Sequence, residues 1–130
     1  MNGILCFTAS VSGYGTELLR SDGTSDGTYI VKDIYSGSGS ASPARLTLCG
    51  STLYFTASNG VIGSELWKSD GTAVGTTLVK DITVGSTGST FTAMAAAGGT
   101  VFFALTDAAT GNELWKSDGS DAGTVLLKDI

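Results

Sequence analysis

The chain has 130 residues and a formal charge of −5; Gly, Ser and Thr fill 53 positions and only 19 residues are charged. Too few helix formers and charged outer faces are present for a helix bundle, and a 42% hydrophobic content opposes disorder. With no His and two Cys there is no Ser-His-Asp triad and no His-containing or Cys₄ zinc site, while the acidic balance and scattered cations disfavour nucleic acid.

Read in chain order, the sequence repeats every 48 residues. Phe7-Thr8-Ala9 returns as Phe55-Thr56-Ala57 and degenerates to Phe103-Ala104-Leu105. Ser-Asp-Gly stands at 21–23, 69–71 and 117–119, and Lys-Asp-Ile at 32–34, 80–82 and 128–130. Residues 65–82 and 113–130 agree at 13 of 18 positions. The units are 1–42 (incomplete, its first inner strand missing), 43–90 and 91–130, within one repeat domain. Four short strands are expected per unit, rich in aromatic and β-branched residues. With the first strand taken from the following unit, those of the middle unit are Thr90–Ala97, Thr52–Ser58, Glu65–Ser69 and Thr77–Ile82. Asp70-Gly71 and Gly75-Thr76 mark a tight hairpin between the last two. The small residues of Phe91–Ala97 suit a crowded centre. No run of about 18 apolar residues occurs, so no membrane insertion is expected.

A period near 48 with four strands per unit is the pattern of a β-propeller blade. The fold class expected is therefore all-β, a propeller-type repeat array of about three four-stranded blades. A parallel β-solenoid is the competitor; its coils are usually shorter and lack the Asp-Gly hairpin.

Glu65-Leu66-Trp67-Lys68-Ser69-Asp70-Gly71-Thr72 and Glu113-Leu114-Trp115-Lys116-Ser117-Asp118-Gly119-Ser120 resemble the ELWxxDGT repeat of secreted bacterial proteins. The flanking 53–57 and 78–82 blocks resemble it too. The first copy, Glu17 to Thr24, departs by carrying Leu19 in place of Trp, and the third ends in Ser120 instead of Thr. The resemblance implies a secreted or cell-surface, propeller-like module with no catalytic residue to carry over. Met1 stands directly before a strand, so secretion rests on the resemblance and not on a leader segment.

Most charges belong to the repeat, so their expected role is structural. The repeat positions singled out are Glu17, Glu65 and Glu113, Trp67 and Trp115, and the turn pairs Asp22-Gly23, Asp70-Gly71 and Asp118-Gly119. The Asp side chains are expected to accept turn amides, and Glu and Lys to pair across the sheet. Calcium at the Asp-Gly loops is the sharper alternative, because Asp22 with Asp26 and Asp118 with Asp121 place two carboxylates on one short loop. Six to eight oxygens are needed, however, and the second Asp is absent around Asp70. The Trp side chains are expected to pack between blades, sugar stacking being the alternative. Cys6 and Cys49 occupy apolar strand positions and are expected as buried free thiols.

These readings point to a non-enzymatic scaffold or binding module without a cofactor. The alternative is a lectin-like propeller with one weak site per blade, and a glycan or protein ligand is unspecified. An enzyme would have to rely on Arg45, Asp107 and Asn112, the main non-repeated polar residues. Three blades leave two apolar faces open, so a homodimer closing a six-bladed ring is expected, with an open filament as the other outcome.

Overall fold

The computed structural model describes residues 1–107 and 111–130. Eleven strands and no helix are present among them. Strands β1 (Leu5–Val11), β2 (Gly15–Ser21) and β3 (Tyr29–Lys32) form a first sheet. A second consists of β4 (Ala44–Cys49), β5 (Thr52–Ser58), β6 (Ser64–Ser69) and β7 (Thr77–Lys80). The third is built from β8 (Thr90–Ala97), β9 (Thr100–Asp107), β10 (Gly111–Ser117) and β11 (Val125–Lys128). Every pairing is antiparallel between consecutive strands, so the parallel solenoid is excluded.

One sequence expectation needs correction. Thr90–Ala97 pairs with β9 of the third sheet; the first strand of the middle sheet is Ala44–Cys49. Its register shifts between Ala44 and Thr47, next to Arg45 at φ 55°, and Arg45 is a residue type that seldom adopts such a φ. This bulge hides the plain alternation by which strands are recognised in sequence. The Asp-Gly pairs stand where the sequence places them, each opening the loop between the last two strands of its sheet, residues 70–76 between β6 and β7 in the middle one.

The repetition extends to irregularities. The pairing of the last two strands shifts register between Leu18 and Leu19, Leu66 and Trp67, and Leu114 and Trp115. In each case one residue of the outer strand is extra: Val31, Val79 or Leu127.

Alternation along the strands gives each sheet two faces, and in the middle sheet both are covered. One core lies between the first two sheets, joining Leu18 and Val31 to Leu53, Phe55 and Trp67. A second lies between the last two, joining Tyr54, Leu66 and Val79 to Val101, Phe103 and Leu105. Leu66 and Trp67 thus point to opposite neighbours, which is why both must be apolar. Strands β4 and β8 run close together. The alanines of β8 are nevertheless exposed, so their small size does not mark burial here.

Candidate functional site

The repeat residues divide into three devices, two present in every sheet and the third at both joints between sheets. The first is the buried carboxylate of Glu17, Glu65 and Glu113 on the middle strand, at 0%, 0% and 4% exposure. These glutamates do not pair with Lys across the sheet, as the sequence had implied. Glu17 accepts the amides of Ile34, Tyr35 and Ala41 at 3.1, 3.3 and 3.2 Å. Glu65 accepts those of Ile82 and Thr83 at 2.9 and 3.3 Å and the Ser89 hydroxyl at 2.9–3.0 Å. A buried carboxylate needs such donors, and the donors here are the connector that leaves the outer strand. The carboxylate therefore ties the chain's exit path to the centre of its sheet. Burial raises the Glu17 and Glu65 carboxyls above their usual range, and the amide hydrogen bonds only partly offset it. At Glu113, Ile130 N donates at 2.6 Å, and Oε1 is buried without a partner among the described residues.

The second device is the Asp-Gly loop. Asp70 Oδ1 accepts the Thr72 hydroxyl at 2.7 Å and its amide at 2.9 Å; Asp22 with Thr24 and Asp118 with Ser120 repeat the arrangement. Those bonds, the hydroxyl first, hold all three carboxyls below the usual aspartate value. Gly23, Gly71 and Gly119 sit at φ 93°, 89° and 91°, a region that L side chains rarely adopt. The Ser69 hydroxyl closes the base of the loop on Thr76 at 2.7 Å. Asp118 and Asp121 serve different partners, since Asp121 Oδ1 lies 3.3 Å from Lys80 Nζ. Among the described residues no three Asp, Glu, Cys or His side chains cluster as a metal site would require.

The third device was not foreseen. Arg20 Nη1 donates to the carbonyl of Gly71 at 3.2 Å, and Lys68 Nζ to that of Gly119 at 2.7 Å. Lys32 Nζ donates to Thr76 O at 2.8 Å, and Lys80 Nζ reaches Asp121 O at 3.2 Å. Cations of one sheet thus grip the Asp-Gly loop of the next, flanking an apolar core. Lys80–Asp121 is the sole salt bridge among the described residues.

Trp67 is buried in the first core and cannot meet a ligand, while Trp115 is half-buried. Trp115 and Glu113 line a cavity of about 100 Å³ together with Leu105, Thr106 and Leu126. Cys6 and Cys49 are free thiols, as expected, but only partly buried. Burial raises the Cys6 thiol above its ordinary pKa. Arg45 stands on β4 and Asn112 on β10, in different sheets, and the Asp107 side chain lies outside the described residues. Asn112 Oδ1 accepts the Thr106 hydroxyl at 2.6 Å. No helix is long and apolar enough to cross a membrane.

In comparisons with known proteins, no family model matches the chain, and no curated protein or solved structure is significantly similar to it.

Proposed function

We propose that the chain is a propeller-type repeat module of the ELWxxDGT kind that acts as a non-enzymatic scaffold or interaction module of secreted or cell-surface proteins. Its working surface is the face of a sheet, and its favoured partner is another such sheet, including one from a second copy. One observation carries this reading: the sheet-to-sheet joint occurs twice in the chain with the same parts. Leu18 and Leu66 enter the two cores, and Arg20 and Lys68 grip the two loops. A joint that recurs at a fixed spacing is a means of adding units, as in other repeat proteins.

Sedimentation equilibrium of the 13.1 kDa chain tests it. The expected result is a discrete dimer closing a ring of six blades; a filament keeps the scaffold and loses the ring, and a stable monomer rejects self-assembly. The lectin-like alternative finds its support in Trp115 beside the Glu113 carboxylate. Buried Trp67 and Leu19 at the corresponding positions leave it one site instead of one per blade. Binding on a glycan array that is lost in Trp115→Ala would favour that alternative.

A further inference from the structure

The two outer faces of the molecule are not equivalent to each other; each is one half of the joint already seen twice inside it. On the first sheet the outer face carries Leu5 and Phe7, with Leu19 already covered within the chain, in step with Leu53, Phe55 and Trp67 and with Val101, Phe103 and Trp115. Leu53 and Val101 are 6% and 0% exposed within the internal joints, whereas Leu5 is 63% exposed. The same holds for the Asp-Gly loop: Gly71 and Gly119 are buried under Arg20 and Lys68, while Gly23 is exposed. Thr76 and Thr124 are buried, and Thr28 is exposed.

The outer face of the third sheet presents the other half. Leu114, Lys116, Leu127 and Lys128 are in step with Leu66, Lys68, Val79 and Lys80 and with Leu18, Arg20, Val31 and Lys32. Val31 and Val79 are 3% and 6% exposed, and Leu127 is 46% exposed. A shallow apolar cavity of about 220 Å³ opens on this face between Ala93, Ala95, Phe102, Ala104 and Leu114.

We infer that these two faces bind each other between copies of the chain, head to tail, with Lys116 of one copy donating to the carbonyl of Gly23 on the next, the one polar contact that recurs in both internal joints. The occupant is a second copy because one molecule carries the cationic half of the joint on its third sheet and, on its first, the loop carbonyls and three of the four strands of the other half, the counterpart of β4 and β8 being absent. Such a contact is heterologous, so each copy offers one of each half. This rests on the self-assembly reading above and adds to it the polarity of the contact and the residues that lock it.

The test uses the full chain. Lys116→Met keeps the stem and removes the donor, and is expected to weaken association about tenfold per contact, hence about a hundredfold for a dimer closed by two such contacts. Leu5→Arg blocks the first face and Leu127→Arg the last; each residue is exposed, so far-UV circular dichroism should show an unchanged fold. Each variant alone is expected to sediment as a monomer, because every head-to-tail contact then includes one blocked half. An equimolar mixture of the two is expected to re-associate through the one intact pair of faces. If the wild-type chain associates but either arginine variant still forms oligomers alone, like faces pair with like and the inference fails while self-assembly stands. If the mixture stays monomeric, the polarity is wrong. If Lys116→Met associates as tightly as wild type, the lysine lock is wrong, and if the wild-type chain is itself monomeric the underlying reading falls as well.

Discussion

The amide of Ile82 donates to Glu65 Oε2 at 2.9 Å across 17 residues of chain, and Ile34 and Ile130 make the same bond to Glu17 and Glu113. Around the first two glutamates the second carboxylate oxygen is also engaged, by Tyr35 and Ala41 or by Thr83 and Ser89.

Glu65→Gln should therefore destabilise the fold by about 1–3 kcal/mol, since the amide group turns one acceptor into a donor facing donors and leaves a buried group unsatisfied. Glu17→Gln should cost at least as much, because its carboxylate faces three amides, which can only donate, whereas the Ser89 hydroxyl at Glu65 can turn to accept. Urea unfolding of the two variants side by side measures the difference. A clearly smaller loss at Glu17 would mean that the number of fixed donors does not set the cost.

The pH dependence has two limbs of opposite sign. Burial raises the folded-state carboxyls of Glu17 and Glu65 above the usual 4.5. Their contribution to stability is then fully present below 4.5 and is lost as pH rises through the higher folded values. Asp22, Asp70 and Asp118 are held below the usual 3.8 by the hydroxyls of Thr24, Thr72 and Ser120. Their contribution is present above 3.8 and is lost as pH falls through the depressed values. The unfolding temperature should rise on going from neutral pH down to about 4.5 and fall again below 3.8. In Glu17→Gln/Glu65→Gln the upper limb should flatten while the lower one persists. Thermal scans at micromolar protein from pH 3 to 7 check both limbs; an upper limb unchanged in the double variant would assign it to other groups.

Much of this architecture is legible in the sequence, and what is not has a common cause. The 48-residue period, the strands and the loops depend on local patterns: alternation, Asp-Gly pairs and spacing. The opposite orientations of Leu66 and Trp67 follow from alternation alone. The glutamates were misjudged because their partners are backbone amides 17 to 24 residues away, which leave no mark on composition. One signal was present. Glu65 shares the face of buried Trp67, where a charge must find several donors. The Arg20–Gly71 and Lys68–Gly119 contacts were invisible for the same reason, since a carbonyl acceptor has no residue type.

Trp67 and Trp115 occupy the same repeat position in different surroundings. Trp67 packs in the first core, whereas Trp115 is half-buried and stacks with Phe103 at 6.3 Å. Trp67→Ala should cost about 3–5 kcal/mol, in the range for emptying a core site. Trp115→Ala should cost less, and Trp67→Leu should recover part of the loss because Leu19 already fills this position in the first sheet. Denaturant midpoints rank the three variants. A larger loss at Trp115 would mean that its exposed side is covered in solution.

Gly75 lies where a Cβ would collide with the Asp70 carboxylate, and Gly27 and Gly123 stand in the same relation to Asp22 and Asp118. No positive φ is recorded at Gly75, so glycine is required there by the folded-back carboxylate and not by the backbone. Asp70→Ala should lower the unfolding temperature by a few degrees through loss of the bonds to Thr72. Gly75→Ala should also be destabilising, by forcing the carboxylate out of its place over the loop. The two losses share one cause, so the double variant should be no worse than the poorer single one, a non-additive cycle. Strict additivity would show that the carboxylate and the glycine act independently. Repeating the scans with calcium separates the remaining alternative. A carboxylate already engaged by Thr72 gives no calcium response, and the wild-type unfolding temperature should not move. A calcium-dependent rise of several degrees that disappears in Asp22→Ala or Asp118→Ala would instead assign the loops to metal.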